Sequence, residues 1–457
     1  MEDSEIYVLA EHCLKFIEKE DSEVKCAEIY FEKSNYINIE IEENSIKNSE
    51  TGEDIGASIR VMNKNGSLGF VYTNILDKST IEKLSLLAIK MMKVGTPDPD
   101  FNNIPRPYKN YPKINNLYDR DLKYLEIEDS IKYVNDLINV CEKDESVISQ
   151  SGNFASGYSK IYILNSNGLN VSRKETSCLV SSNVIVKDKI SKDTSSGYER
   201  QVERNLSKLD TINVAKKALK DAKQNLNRKK IQNMKVPVIL TPKGTISLIL
   251  RPIAAAINAE TFQYKRSFLV DKLGEKIGSN YLNIEDNGII DGAAGSQIFD
   301  DEGVPCRNKK IIDNGMFQNN GLLHNSYTAG KEGVDSTGNA TRNSYISIPS
   351  IGITNFIMQS GNTPLKEIIC DIKRGILLNY TGDSPNISTG DFSGLILHGN
   401  LIINGEIKDP LNETMLGINL FELFKNIDAV SKEYGVYGAF QAPYVRIKSV
   451  NIIGGKN

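Results

Sequence analysis

Histidine and cysteine are the side chains most able to bind a catalytic metal, and this chain of 457 residues has three histidines and six cysteines. His12, His324 and His398 lie far apart, so no two can share a helical turn. The cysteines form no C-x-x-C pair; they are Cys13, Cys26, Cys141, Cys178, Cys306 and Cys370. A zinc hydrolase needs several such ligands and a carboxylate beside the metal-bound water. The spacing predicts no metal site in this chain; the alternative is a site assembled from remote residues.

Three consecutive carboxylates offer a second kind of chemistry. They lie in the segment Phe299-Asp300-Asp301-Glu302-Gly303 and could bind a cation or a peptide amine. An acidic turn ended by Gly303 is the commoner meaning of such a segment. Asp300, Asp301 and Gly303 are therefore candidates for a substrate cleft or a partner-facing surface, with a plain turn as the alternative.

A glycine-bounded segment near residue 390 carries the third set of candidates. In Gly390-Asp391-Phe392-Ser393-Gly394 the serine is displaced by one position from the G-x-S-x-G nucleophile elbow. Gly390, Asp391 and Phe392 could shape a peptide-facing loop, and a turn between strands fits equally well. His398 follows and could act as a base; the alternative is a histidine held by hydrogen bonds within a sheet.

The composition is that of an ordinary multi-domain protein. The 55 basic and 58 acidic side chains leave a net charge of -3, which gives no electrostatic reason to expect nucleic acid or an anionic membrane as a partner. No apolar run approaches the roughly 18 residues of a membrane span, and the first five residues are acidic where a secretory signal is basic. We expect a cytoplasmic protein with reduced thiols.

Residues 1–95 read as a first α+β unit. Ile6, Leu9, Cys13 and Ile17 recur at helical spacing, which predicts a helix over residues 5–19. Alternating apolar residues then predict separate strands at 24–31, 37–41, 54–62 and 69–73. Ser79 and Glu82 form a capping-box pattern that opens a second helix, with an apolar face of Leu84, Leu87, Ala88 and Met91.

The same order of elements begins again after a proline-rich connector at residues 96–118. A helix near 127–141, strand-like runs within 146–186 and a helix near 215–222 make residues 119–230 a second α+β unit. This order predicts a structural repeat, and the alternative is the ordinary alternation of an α+β domain.

Residues 231–457 change character and predict a large, mostly antiparallel β domain with one or two inserted helices. Short apolar runs are separated by turn dipeptides typical of hairpins, namely Asn314-Gly315, Asn320-Gly321 and Asn404-Gly405. The first inserted helix is expected at residues 241–262. The fold class is therefore α+β, with an amino-terminal α+β domain (residues 1–230) followed by a β-rich carboxy-terminal domain (residues 231–457).

Five short motifs give this chain a resemblance to a known family. They are Phe268-Leu269-Val270-Asp271-Lys272-Leu273-Gly274, Phe299-Asp300-Asp301-Glu302-Gly303-Val304, Thr337-Gly338-Asn339-Ala340, Thr389-Gly390-Asp391-Phe392-Ser393-Gly394 and Glu406-Ile407 with Pro410. In this order they resemble the TldD/TldE family of peptidase-related proteins, and within it the TldE branch, also called PmbA. The resemblance covers nearly the whole chain and adds Thr337, Gly338 and Asn339 to the candidates for a substrate cleft or partner-facing surface.

The resemblance implies that active TldD-type members carry an H-E-x-x-x-H zinc helix in the carboxy-terminal domain, whereas TldE-type members lack it and pair with TldD. Arg251, Pro252 and Ala256 stand at those positions here. Neither a guanidinium group nor an alanine can offer zinc a lone pair. The resemblance thus implies no cofactor in this chain and zinc only in a TldD-like partner.

Pro252 is compatible with two local structures. Proline inside a helix removes a hydrogen-bond donor and clashes with the preceding turn, at about 3 kcal/mol. The helix could kink there, or it could begin there, with residues 244–250 as an extended approach.

Three functions are compatible with these residues. The first is a non-catalytic subunit that binds unfolded peptides beside a TldD-like partner as a heterodimer or larger complex, with a homodimer possible in isolation. The second is an autonomous hydrolase with a relocated site at His398, Asp300 and Asp301. The third is a scaffold that modulates a DNA-handling enzyme, as the family's description as a gyrase modulator suggests. The missing metal positions favour the first.

Overall fold

The computed structural model describes residues 2–455, and its amino-terminal domain is built on one six-stranded antiparallel sheet. The strands lie in the order β3-β2-β1-β4-β5-β6. The helices and strands of this domain are α1 Asp3–Glu20, β1 Val24–Glu42, β2 Ser45–Asn63, β3 Leu68–Thr73, α2 Lys78–Val94, α3 Arg120–Lys123, α4 Ile127–Glu142, β4 Val147–Asn165, β5 Asn170–Lys187, β6 Thr194–Glu203 and α5 Thr211–Gln224.

The order helix, three antiparallel strands, helix occurs twice, and the two first strands, β1 and β4, pair at the centre of the sheet. The prediction of separate strands at 24–31 and 37–41 was wrong, because β1 runs unbroken through both. It pairs with β2 on one side and with β4 on the other, so its polar middle residues stay extended. Strand β6 was not predicted.

Helices cover one face of this sheet. Helices α1 and α2 pack on β1, β2 and β3, and α4 and α5 pack on β1, β4 and β5. The predicted buried face of α1 is confirmed. For α2 the prediction was wrong in two details: Asp77, not Ser79, caps the helix by accepting from Thr80 N at 2.8 Å, and Leu87 and Met91 are exposed. The helix is therefore rotated relative to the predicted stripe.

The opposite face of the sheet packs against the carboxy-terminal domain. Tyr30, Ile161 and Ile163 form a buried cluster there with Phe299 and Tyr345. The connector is irregular and also lies on that domain: the Tyr111 hydroxyl donates to the Gly303 carbonyl at 3.0 Å, and Asn115 donates to Asp291. The two domains therefore share an extensive contact.

The carboxy-terminal domain contains an 11-stranded sheet and several short helices, more than the one or two expected. Its elements are β7 Met234–Leu240, α6 Pro242–Thr245, a π-helical turn Ile246–Leu250, α7 Arg251–Ala256, α8 Ala259–Gln263, β8 Ile284–Asn287, β9 Asn308–Asp313, β10 Met316–Phe317, α9 Ser326–Glu332, β11 Ala340–Thr341, β12 Ser350–Ile351, β13 Phe356–Met358, α10 Leu365–Cys370, β14 Arg374–Thr381, β15 Asp391–Ile403, β16 Glu406–Pro410, β17 Met415–Asn419, α11 Leu420–Lys425, β18 Ile427–Tyr437 and β19 Phe440–Ile453. The expected α+β class is confirmed.

Five strands of this sheet close on themselves in the order β7-β14-β15-β17-β19, since β19 also pairs with β7. All neighbours are antiparallel except β7 with β14. The hairpins predicted at Asn314-Gly315 and Asn404-Gly405 are confirmed, with all four residues at positive φ. No hairpin forms at Asn320-Gly321, because the chain after it makes only one isolated bridge, from Leu323 to Asn258.

None of the helices between residues 2 and 455 is long and apolar enough to span a lipid bilayer.

Thiol labelling tests the packing of both domains. Cys370 is exposed, whereas the other five cysteines are buried, and burial raises the pKa of Cys13, Cys178 and Cys306 to about 12. Because the thiolate is the reactive form, we expect Ellman's reagent to titrate one thiol rapidly in the native protein and all six after denaturation. A Cys370→Ser variant should show no rapid reaction; several rapidly reacting thiols would contradict the packing.

Candidate functional site

The segment that the sequence aligns with a metal-binding helix is helical throughout. Thr241 caps it by accepting from Gly244 N at 3.3 Å, and Pro242 occupies the first turn, where its missing N–H costs nothing. Residues Ile246–Leu250 form a π-helical turn, closed by a hydrogen bond from Arg251 N to Ile246 O. The helix then continues as α7.

This π turn explains how the helix tolerates Pro252. An α-helix would require an N–H at residue 252 and would press the proline ring against the preceding turn. Widening that turn removes the requirement, and Leu250 and Arg251 keep helical backbone angles. The extended approach over residues 244–250 does not occur. The helix ends at Ala256 rather than at residue 262, and the separate helix α8 follows at Ala259–Gln263.

The three positions at the missing metal motif have different surroundings. Arg251 is exposed, while Pro252 is buried and Ala256 is fully buried in the core of the carboxy-terminal domain. Within residues 2–455, no three His, Cys, Asp or Glu side chains are grouped so that they could hold a metal ion.

A cleft of about 400 Å³ lies between the two domains beside this helix. Strand β6 and helix α5 form its wall from the amino-terminal domain. The opposite wall comes from α6 to α7 and from strands β14, β15 and β18. The polar side chains that face it include Arg200, Asp221, Lys243, Arg251, His398 and Tyr437.

Polar contacts cross this cleft from one domain to the other. Asp221 accepts from Asn379 Nδ2 at 3.1 Å, and His398 Nδ1 lies 3.4 Å from Asp221 Oδ2 without forming a hydrogen bond. Lys243 Nζ donates to the Tyr198 carbonyl at 2.7 Å and lies 3.1 Å from a Glu199 oxygen. The side chains at the cleft therefore help to join the domains as well as line it.

Tyr437 adds a neutral hydrogen-bonding group to the cleft. Burial, and to a lesser degree the negative charge of Glu199, raises the pKa of its phenol well above the usual range. The hydroxyl thus stays protonated at neutral pH and can donate.

Of the candidate substrate-cleft or partner-facing residues proposed from sequence, only His398 faces this cleft. Arg251, from the altered metal motif, also faces it. The acidic segment lies elsewhere, buried between the domains. Asp301 accepts from Arg173 Nη2 at 2.7 Å and from Arg342 N at 2.7 Å. Glu302 accepts from Arg60 at 3.1 Å. These carboxylates bind arginines of the protein itself, and neither of them lines the cleft.

Asp300 organises the turn that carries this segment. Its carboxylate accepts from Glu302 N and Val304 N, both at 2.9 Å, and from Ala340 N at 2.9 Å. Burial and then the charge of Glu302 raise its pKa to about 7, against the opposing effect of these hydrogen bonds. Gly303 has a φ of 83°, and a side chain there would collide with Leu169. The turn alternative considered for this segment therefore describes it.

The ionic network continues through the amino-terminal sheet. Glu28 is 1% exposed and binds both Arg60, at 2.9 Å, and Arg342, at 2.5 Å. Burial alone would raise the pKa of Glu28, but the two guanidinium groups outweigh it and lower that pKa. The network thus joins β1 and β2 to the loops of the carboxy-terminal domain.

Thr337, Gly338 and Asn339 lie in the interior rather than in the cleft. Asn339 donates to Asp286 at 2.9 Å and accepts from Lys309 at 2.8 Å. The Thr337 hydroxyl accepts from His324 N. Burial lowers the pKa of His324, so this histidine is neutral. These residues support the loops beside the acidic turn.

Gly390 immediately precedes strand β15, and Asp391 and Phe392 are its first two residues. Gly390 has a φ of 76°, Asp391 is exposed and accepts from Asn419 Nδ2 at 2.8 Å, and Phe392 packs in the core. None of them borders the cleft. The segment is the start of a strand, and the turn between strands lies just before it at residues 387–389.

Several cleft residues could not have been found from sequence. Tyr198, Asp221, Lys243, Asn379 and Tyr437 belong to five separate elements and to no motif. From the sequence, only Arg251 in the altered metal motif and the candidate base His398 pointed to this cleft.

Three family models match successive parts of the chain. The PmbA/TldA metallopeptidase domain 1 matches residues 27–91, the central domain matches residues 120–226 and the C-terminal domain matches residues 233–454. Together they span most of the chain.

Several proteins of similar sequence are named as metalloproteases. A metalloprotease of Methanocaldococcus jannaschii is 29% identical over 413 residues, covering 89% of each chain. A metalloprotease PmbA homologue of Buchnera aphidicola is 27% identical over 449 residues, covering 93% of each.

Solved structures share the fold over the whole length. A protein of Bacteroides thetaiotaomicron described as a proposed modulator of DNA gyrase superposes with a TM-score of 0.87 at 25% identity, covering 100% of both chains. TldE of Thermococcus kodakarensis superposes with a TM-score of 0.86 at 24% identity, covering 98% of this chain and 100% of that one.

Proposed function

This chain belongs to the PmbA/TldD family of metallopeptidase-like proteins, and we propose that it is the non-catalytic, TldE-like subunit of a peptidase complex. In this proposal a related TldD-like subunit carries H-E-x-x-x-H and supplies the zinc, while this chain closes the space in which unfolded peptides are cleaved. The observation that carries the proposal is the retained helix with Arg251, Pro252 and Ala256 at the metal positions.

The surroundings of that helix support the proposal beyond the change of residue types. Ala256 has no exposed surface and belongs to the main apolar core, so an imidazole at this position would be buried among apolar side chains. Pro252 is buried as well.

The relocated hydrolase has less support. It requires His398 beside Asp300 or Asp301, but His398 lies near Asp221, and Asp301 is bound to Arg173. The scaffold alternative has one observation in its favour, the description of the similar Bacteroides protein as a proposed modulator of DNA gyrase. A cytoplasmic location stays a prediction.

The decisive experiment compares this chain alone with its mixture with a TldD-like protein. We expect a heterodimer or larger complex by size exclusion with light scattering, zinc only in the presence of the partner, and cleavage of an unfolded peptide by the complex. A Glu→Gln change in the partner's H-E-x-x-x-H should abolish cleavage, because that carboxylate takes the proton from metal-bound water.

Two results would contradict the proposal. Stoichiometric zinc together with peptide cleavage by this chain alone would make it an enzyme, and loss of that cleavage in His398→Ala would favour the relocated hydrolase. Failure to bind any TldD-like partner, with no cleavage under any condition, would favour the scaffold.

A further inference from the structure

Two arginines in the interdomain cleft lack an anionic partner. Of the three cations that line the cleft, Lys243 is neutralised by Glu199. Within residues 2–455, neither Arg200 nor Arg251 forms an ion pair with a carboxylate. The remaining carboxylate of the cleft, Asp221, is engaged by Asn379 and lies beside His398. With three Arg and Lys side chains against two carboxylates, the lining of the cleft has an excess of one positive charge.

Arg251 packs on an aromatic ring, and the hydrogen-bond donors of its side chain have no partner among residues 2–455. Its guanidinium carbon lies 5.9 Å from the centre of the Phe440 ring. A guanidinium group over an aromatic face is positioned by the cation-π attraction while its N–H groups remain available at the edge of the plane. A planar anion such as a carboxylate matches those donors two at a time.

The wall of the cleft opposite Arg251 is an edge strand. Strand β6 pairs with β5 and ends the six-stranded sheet. The Tyr198 carbonyl points away from β5, since it accepts from Lys243, and Arg200 N donates to the Glu199 side chain. Because alternate residues of a strand point their backbone groups the same way, those of Ser196 also face outward. Among the described residues they form no hydrogen bond.

We infer that this cleft binds the carboxyl end of an extended peptide, with the peptide backbone along the outward backbone groups of Ser196 and the outward N–H of Tyr198 in β6, and its terminal carboxylate on Arg251 and Arg200. An edge strand binds a peptide backbone whatever the side chains of the peptide, and the arginines bind the negative charge of a free carboxyl terminus. The inference rests on the proposed function for its peptide ligand. It gives the altered metal position a binding role of its own.

The test is a binding measurement on the full chain without a partner. An unstructured Ala/Ser peptide with fluorescein at its amino end is titrated by fluorescence anisotropy as the free acid and as the carboxyl-terminal amide. We expect the amide to bind about tenfold more weakly or worse, because it loses charge-assisted hydrogen bonds. Equal affinities of acid and amide would overturn the inference.

Arg251→Gln separates this site from charge elsewhere. It should weaken binding of the acid about tenfold and leave binding of the amide unchanged. Arg374→Gln is the matched control, since Arg374 is exposed and lies outside the cleft. Equal effects of the two variants would overturn the assignment. So would displacement of the labelled peptide by inorganic phosphate at concentrations as low as those at which the free-acid peptide itself competes.

Ser196→Pro tests the backbone contact. Proline is tolerated on edge strands and removes the outward N–H, so binding of acid and amide should weaken equally, with thermal unfolding as the check on folding. Unchanged binding in this variant would rule out pairing along β6. If the chain binds the peptide but forms no peptidase complex, the proposed function is contradicted and this inference stands. If an active complex forms and Arg251→Gln does not change its KM, this inference is contradicted and the proposed function stands.

Discussion

Replacing Arg342 with methionine is expected to lower the free energy of unfolding by about 3–5 kcal/mol. The Arg342 side chain is fully buried and binds Glu28, which is itself 1% exposed. It also donates from Nε to the Asp301 carbonyl at 3.2 Å. Removing it leaves buried acceptors across the domain contact without a partner. Urea unfolding followed by circular dichroism measures the change.

The matched control is Arg374→Met, at an exposed position, which should change the free energy by no more than about 0.5 kcal/mol. The double variant Arg342→Met with Glu28→Leu should lose less than the sum of the two single changes, because both groups belong to one network. Similar destabilisation by Arg342→Met and Arg374→Met would refute the role of the network.

The effect of Arg342 should also depend on pH. The folded protein lowers the pKa of Glu28, so Glu28 contributes stability above its unfolded pKa of about 4.3 and loses that contribution as the pH falls through its folded pKa. The difference in stability between wild type and Arg342→Met should therefore be full at neutral pH and shrink in acid. A difference that grows as the pH falls would contradict this sign.

Restoring the missing metal motif is expected to damage the protein rather than to create a zinc site. The variant combines Arg251→His, Pro252→Glu and Ala256→His. Its last two changes place a carboxylate and an imidazole at buried positions, where overpacking and unpaired charge together should cost at least about 3 kcal/mol. We expect no stoichiometric zinc by atomic emission and a clearly lower midpoint in thermal unfolding.

Arg251→His alone is the control for this graft. Arg251 is exposed, so the single change should alter stability by no more than about 0.5 kcal/mol. If the full graft bound stoichiometric zinc at wild-type stability, the core around Ala256 would have to retain space for a metal site, and the argument from packing would fail.

Some features of the fold could be predicted from particular residues of the sequence, and others could not. The face of α1 was predictable because Ile6, Leu9, Cys13 and Ile17 mark it locally. The hairpins at Asn314-Gly315 and Asn404-Gly405 were predictable because both dipeptides favour positive φ. The Glu43-Asn44 turn between β1 and β2 also has positive φ at both residues, yet glutamate gives no such signal, and the pairing of two long strands imposes it.

Residue types and short-range spacing were enough to predict the α+β class, the family and the lack of potential ligands at Arg251, Pro252 and Ala256. The three-dimensional structure was needed to show that a π turn keeps the helix around Pro252 intact and that Asp301 and Glu302 bind arginines of the amino-terminal domain. It also brought Arg200 and Arg251 to one cleft. Contacts between elements distant in the chain depend on how the two domains pack, and no local pattern of residues records that packing.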